Sequence, residues 1–151
     1  YDLCHERIVD LGRWDYVSHQ VIASPFKPID YMDKIDVLAA RYLTDTKITC
    51  KYLTVELKKD EAEKSTIDQI LKYVDWVCTE YAYGDYEMIE ACIIAAGYEE
   101  GMDRYYREVV QRHYTQGSHP VRNKQWNNLK LLKYTCVDGE IVYEDVTPPL
   151  R

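Results

Sequence analysis

No apolar run in this chain approaches the roughly 20 residues that a membrane-spanning helix requires, and no signal-peptide pattern opens it. No two cysteines have Cys-x-x-Cys spacing, which excludes the commonest structural zinc and redox motifs. No internal repeat or low-complexity tract interrupts the 151 residues. The five cysteines (Cys4, Cys50, Cys78, Cys92 and Cys136) are odd in number, and three of them sit in apolar runs where a thiol serves as a small core residue. A reducing, cytoplasmic setting without structural zinc or membrane contact is the expectation. The chain opens on Tyr1 rather than methionine, so it reads as one domain, residues 1–151, excised from a longer chain with a further domain upstream.

What is present suits a single core. A chain of this length buries about 70% of its extended surface. Its 46% hydrophobic and 30% charged content is that of a globular protein. The net charge of −7 argues against an indiscriminate polyanion binder, although a basic face can act locally inside an acidic protein. Residues 101–133 supply such a face, with Arg104, Arg107, Arg112, Arg122, Lys124, Lys130 and Lys133 against Asp103 and Glu108. That charge fits a phosphate-facing surface, and it fits a solvated helix and loop as well.

Patterning divides the chain into short elements. Leu3–Leu11 reads as a helix and Tyr16–Ser24 as a strand closed by Pro25 and Pro28. Strands follow at about Lys34–Leu43 and Ile48–Lys58, joined by a turn at 44–47, and such a short connection implies antiparallel pairing. Lys58–Glu61 reads as a solvated turn into the next element. Ile67, Ile70, Leu71, Val74, Val77, Cys78 and Tyr81 form one apolar stripe of a helix over Thr66–Ala82, with Ser65 and Asp68 as a capping box and Gly84 as its end. Ile89–Gly97 is apolar on both faces, as a parallel or central strand would be. A second helix is expected over Met102–Tyr114. Two strands, Leu129–Val137 and Glu140–Val146, meet at the hairpin signal Asp138-Gly139.

The chemistry concentrates between residues 34 and 77. Leu53, Val55 and Leu57 alternate with Thr54, Glu56 and Lys58, so an acid and a lysine project from one face of one strand. Asp36 interrupts the apolar run Ile35-Val37-Leu38, where a core residue would otherwise fit. Gln69 and Tyr73 stand four apart on the helix and share a face.

Asp36, then Glu56-Leu57-Lys58, then Gln69-x-x-x-Tyr73, in this order of elements, resembles the PD-(D/E)xK nuclease superfamily, above all its RecB-type and NucS-type branches. Ile35 stands in place of the proline, and the long gap from Asp36 to Glu56 requires extended strands or a larger hairpin. The resemblance implies a three-layer, restriction-endonuclease-like α/β fold with a central mixed sheet flanked by helices. It implies a metal-dependent nuclease hydrolysing phosphodiester bonds of DNA, with Asp36, Glu56 and the Leu57 carbonyl holding Mg²⁺, or Mn²⁺ as a substitute. Glu6 would complete that site, or it is a surface helix charge. Lys58 would orient or help deprotonate water. Gln69 would position water or phosphate, and Tyr73 would bond near the site. Arg104, Arg107, Arg112, Arg122 and Lys124 would face nucleic acid, and a homodimer is a further expectation. The alternative is a catalytically silent scaffold that binds nucleic acid or serves assembly. Tyr81, Tyr83, Tyr86, Tyr105 and Tyr106 could stack bases or pack core edges. Strandedness and DNA against RNA are open at this point.

Overall fold

The computed structural model describes residues 11–23 and 33–150. Alternating patterning produces an antiparallel meander of β1 (Tyr16–Ile22), β2 (Lys34–Tyr42) and β3 (Thr49–Ala62). The turn at 44–47 joins β2 to β3, and Leu43 N–H donates across it to the Ile48 carbonyl at 2.9 Å. β3 outruns its sequence pattern. Lys59 to Ala62 continue the strand instead of turning, because Glu61 and Ala62 find parallel partners in Gly97 and Tyr98. The register slips by one residue between Lys58 and Glu61, a bulge-like irregularity of the kind that re-aims neighbouring side chains.

The stripe on α1 (Lys64–Glu80) is buried as its spacing requires. Its N-terminus differs from the expected capping box. Glu63 is the N-cap residue and no side chain caps the helix; Ser65 Oγ donates instead to the Glu63 carboxylate at 3.3 Å. Lys64 enters the first turn because its ammonium is drawn to Glu99 at 2.7 Å and to the Glu100 carbonyl at 3.2 Å. At the other end Gly84, at φ +83, lets its N–H turn back onto the Cys78 carbonyl at 2.9 Å.

A 3₁₀ turn (Tyr86–Met88) leads into β4 (Ile89–Tyr98), which is parallel to β3 on one side and to β7 (Leu129–Val137) on the other. β7 returns as β8 (Glu140–Asp145) through Asp138 and Gly139, both left-handed, as a two-residue I′ hairpin demands. The mixed six-stranded sheet runs β1-β2-β3-β4-β7-β8. Both described helices, α1 and α2 (Met102–Val109), share one core with Ala91, Ile93, Ala95, Leu129 and Leu131. Leu11, Trp14, Val17, Val37, Leu53, Val55, Cys92 and Ile94 fill the opposite side. This is the expected α/β architecture around a central mixed sheet. The helix expected from Leu3 lies outside the described residues, Leu11 apart.

The second helix is shorter than its apolar stripe suggests. It stops at Val109 because the period changes from helical to alternating: Arg112, Tyr114 and Gln116 turn inward while His113 and Thr115 stay exposed. These residues form β5 (Arg112–Gln116), which pairs with β6 (Arg122–Trp126) as a separate two-stranded ribbon. No described helix is long and apolar enough to cross a membrane.

Ile70 is fully buried in the core under α1, whereas Gly139 has open space around its Cα but sits at φ +86. Ile70→Ala should therefore destabilise the chain by about 2–5 kcal/mol through cavity formation. Gly139→Ala should cost about 1 kcal/mol through backbone strain alone. Urea unfolding of both variants checks the contrast, and equal losses would contradict it.

Candidate active site

The β2–β3 ladder runs in regular antiparallel register from Ala40↔Tyr52 to Val37↔Val55. The next backbone-bonded pair would be Ile35 with Leu57, since such pairs recur every second residue. It does not form. Leu57 N–H donates instead to Asp36 Oδ2 at 2.9 Å. A side-chain oxygen has replaced a backbone carbonyl, and the two strands part at that point. The N–H and C=O of one strand residue face the same edge, so the Leu57 carbonyl also looks toward the opening. Beyond it, Ile35 and Lys34 remain paired with Val21 and Ile22 of β1.

Asp36 and Glu56 stand on one sheet face, in the direction of α1. Glu56 is 3% exposed. Its Oε1 accepts from Lys58 Nζ at 2.9 Å, while its Oε2 is buried without a hydrogen-bond partner. Thr54 Oγ1, two residues back on the same face, is the other buried side-chain atom left unpaired among the described residues. Burial is the largest influence on the Glu56 carboxyl and raises its pKa above the ordinary 4.5. The Lys58 hydrogen bond opposes this, the Asp36 charge adds to it, and the Lys58 charge and the Gln69 amide pull weakly the other way. An unpaired anionic oxygen inside a protein costs several kcal/mol unless something positive reaches it.

Gln69 and Tyr73 do share a face, and they are bonded to each other. Gln69 Nε2 donates to Tyr73 Oη at 2.7 Å, and Tyr73 Oη donates to the Lys34 carbonyl at 2.9 Å. The pair ties the first turns of α1 to the start of β2, two residues before Asp36. Burial of Tyr73 raises its phenol pKa, and the charges of Glu56, Asp33 and Asp36 push in the same direction.

Sequence reasoning missed Gln20. Its Nε2 donates to Asp36 Oδ1 at 2.9 Å, from a strand residue held at φ +52. The β1–β2 register places it directly across from Asp36, so Gln20, Asp36 and Glu56 make one polar row over three strands. Nothing in a linear pattern marks a glutamine on an exposed strand as the partner of an acid sixteen residues on.

The structure thus brings together Asp36, Glu56, Leu57, Lys58, Gln69 and Tyr73. Glu6 lies outside the described residues, and among those described no group of three or more His, Cys, Asp or Glu gathers to hold a metal ion. The acids Asp36 and Glu56, with the Leu57 carbonyl, are the described oxygen donors at the opening. The basic residues are divided between α2 and the β5–β6 ribbon, and most are paired with acids. Arg104 and Arg107 lie on α2, paired with Glu108 at 3.0 Å and Asp103 at 3.3 Å. Arg112 clamps Asp75 at 2.9 Å, Lys124 meets Glu87 at 3.3 Å, and Arg122 is exposed on β6.

No protein-family model matches this chain, and no curated protein does. Solved structures similar to it include a repair endonuclease from Pyrococcus abyssi, at TM-score 0.45 and 22% identity over 72% of this chain and 41% of that one. EndoMS in complex with double-stranded DNA aligns at TM-score 0.38 and 24% identity, over 54% of this chain and 30% of its own. EndoMS in apo form aligns at 0.39 and 18%, over 62% and 32%. The chain spans less than half the length of each. The chemistry of the site is therefore read from its own geometry.

A carboxyl whose pKa is raised on folding holds its proton more tightly in the folded state. Its contribution to stability is largest below the ordinary 4.5 and is lost as pH rises through the raised value. The stability of the parent chain relative to Glu56→Gln should therefore grow as pH falls from neutrality toward 4.5. Urea midpoints of the two proteins across that window test this. A pH-independent difference would mean that burial does not perturb Glu56.

Proposed function

We propose that this chain is a metal-dependent nuclease that hydrolyses phosphodiester bonds of DNA at the Asp36–Glu56–Lys58 site, within a restriction-endonuclease-like domain. The observation that carries the reading is the buried, unpartnered Glu56 Oε2 beside Asp36 at an opened ladder edge. A divalent cation is the partner chemistry such an oxygen lacks. The donor set of two carboxylates and a backbone carbonyl is all hard oxygen, which suits Mg²⁺ or Mn²⁺ and disfavours zinc. Asp36, Glu56 and Leu57 would hold the cation, with Glu6 as a further carboxylate. When bound, it would supply Lewis-acid activation of water and neutralise charge developing on the phosphate.

The chain's own residues do the positioning. Lys58, tethered at 2.9 Å to Glu56, presents its remaining N–H donors at the mouth of the site, where they can align the attacking water and balance charge on the phosphate. Gln20 and Leu57 N–H each take one oxygen of Asp36, fixing its carboxylate in orientation. Gln69 and Tyr73 hold the helix against β2, so the two acids keep their separation. Arg104, Arg107 and Arg122 remain proposed phosphate contacts, the first two by exchanging their exposed pairs with Glu108 and Asp103. Arg112 and Lys124 would have to leave Asp75 and Glu87 to act so. DNA as the substrate, a homodimer and an upstream domain belong to the same proposal.

One observation favours the second reading, a scaffold that binds without turnover. Three of the four oxygens of Asp36 and Glu56 already have partners within the chain. Cleavage of labelled linear, circular and single-stranded DNA in EDTA, Mg²⁺ or Mn²⁺ separates the two. Metal-dependent cutting should fall by about a hundredfold or more in Glu56→Gln and Lys58→Met. Mg²⁺ should raise the melting temperature of the parent but not of Glu56→Gln. DNA binding without cleavage, and no thermal shift with Mg²⁺, would leave the scaffold.

Gln20→Gly separates positioning from folding. Removing the side chain relieves a left-handed backbone by about 1 kcal/mol, so the melting temperature should hold or rise. The Mg²⁺ concentration needed for half-maximal cleavage should increase, because Asp36 loses its restraint. An unchanged Mg²⁺ requirement would remove Gln20 from the site.

A further inference from the structure

Between Glu108 and Asp138 the chain carries no Asp or Glu over 29 consecutive residues, although its net charge is −7. The β5–β6 ribbon stands inside that acid-free segment. One face of the ribbon is anchored along most of its length. Arg112 clamps Asp75 through both of its oxygens at 2.9 and 3.3 Å. The Tyr114 ring packs 5.3 Å from Tyr86, and Gln116 donates to Asp85 and Glu87, each at 3.1 Å. Lys124 meets Glu87 at 3.3 Å, and Trp126 Nε1 donates to the Ile89 carbonyl at 2.8 Å. The acids that these groups need all come from α1 and the segment after it, none from the ribbon.

The other face is free. His113 pairs across the strands with Gln125, and Thr115 with Asn123. All four are exposed, and none makes a side-chain hydrogen bond within the described residues. Arg122 and His119 are exposed at the same end of the ribbon, with no acid beside them in sequence. An outward face whose one ring is the His113 imidazole, with no Phe, Tyr, Trp or aliphatic side chain among its two cross-strand pairs, offers little surface for stacking successive single-stranded bases. It is equally poor for an apolar protein contact.

We infer that the β5–β6 ribbon enters the major groove of duplex DNA and contacts base edges and backbone through His113, Thr115, Asn123 and Gln125. A two-stranded ribbon fits a groove about 12 Å wide. Asn and Gln match the donor–acceptor pair of adenine, and Thr can meet a base edge or the thymine methyl. The outward face itself carries no acid, since Asp75, Asp85 and Glu87 bond to Arg112, Gln116 and Lys124 of the other face. Arg122, opposite Gln116 at the exposed end of the ribbon, supplies the adjoining phosphate contact, while Arg112, Tyr114, Gln116, Lys124 and Trp126 on its side of the ribbon make it rigid. This rests on the DNA reading above, which it deepens by making the substrate a duplex.

The test is fluorescence anisotropy in EDTA with a labelled duplex of roughly two helical turns and with its separated single strand. The parent chain is compared with Asn123→Asp/Gln125→Glu and with His113→Ala/Thr115→Ala. Duplex affinity should fall by roughly tenfold or more in the acidic pair and by a smaller factor in the alanine pair. Single-strand affinity, melting temperature and Mg²⁺-dependent cleavage of single strands should stay as in the parent. Should the acidic pair fail to fold, the alanine pair decides. Unchanged duplex affinity in folded variants overturns the inference while the nuclease stands. A parent that cleaves single strands but does not bind duplex does the same. A parent that neither binds nor cleaves any DNA removes both.

Discussion

Where β2 should offer Leu57 N–H a backbone carbonyl, the Asp36 carboxylate takes its place, and the site follows from that exchange. The bond satisfies an amide that would otherwise be orphaned, so the strands can part without leaving a buried donor unpaired. The parting exposes the Leu57 edge and holds Asp36 beside Glu56 rather than pairing it away in a ladder. It also explains why Gln20 and Tyr73 matter. With the β2–β3 ladder ended, the start of β2 is held by its pairing to β1, by Gln20 on Asp36 and by Tyr73 on the Lys34 carbonyl.

Glu56 is the cost of the arrangement. Its carboxylate is carried into the boundary between α1 and the sheet with one partner, Lys58, and one oxygen unserved. A chain selected for stability alone would place an apolar residue there, as it does at Ile93 next to Glu56 on β4 and Leu131 beyond it. The polar row lies inside an otherwise apolar face, which is where a functional site departs from the pattern that stability alone would favour.

Much of this was legible in the sequence because periodicity reports which face is buried. The alternation around Leu53–Lys58 set Glu56 and Lys58 on one side, and Asp138-Gly139 located the terminal hairpin to the residue. The misses share a physical cause. The stripe Met102, Tyr105, Tyr106, Val109 runs smoothly toward His113, yet the helix ends at Val109 because Arg112 is taken by Asp75, 37 residues away in sequence. Ser65 reads as a cap until Lys64 is pulled into the helix by Glu99. Gln20 depends on a left-handed backbone and a cross-strand neighbour, neither of which has a local signature. Each was decided by a partner distant in the chain.

The mixed sheet also orders the assembly of the site in time. The turn between β2 and β3 closes a few residues, whereas the parallel pairing of β3 with β4 must wait for α1 to cross over between them. Loop-closure entropy therefore favours the meander first. In the meander alone Asp36 and Glu56 are already neighbours, but Glu56 is still hydrated, since the helix that covers it has not docked. Loss of water from the carboxylate belongs to the late, helix-docking stage, after the acids are in place.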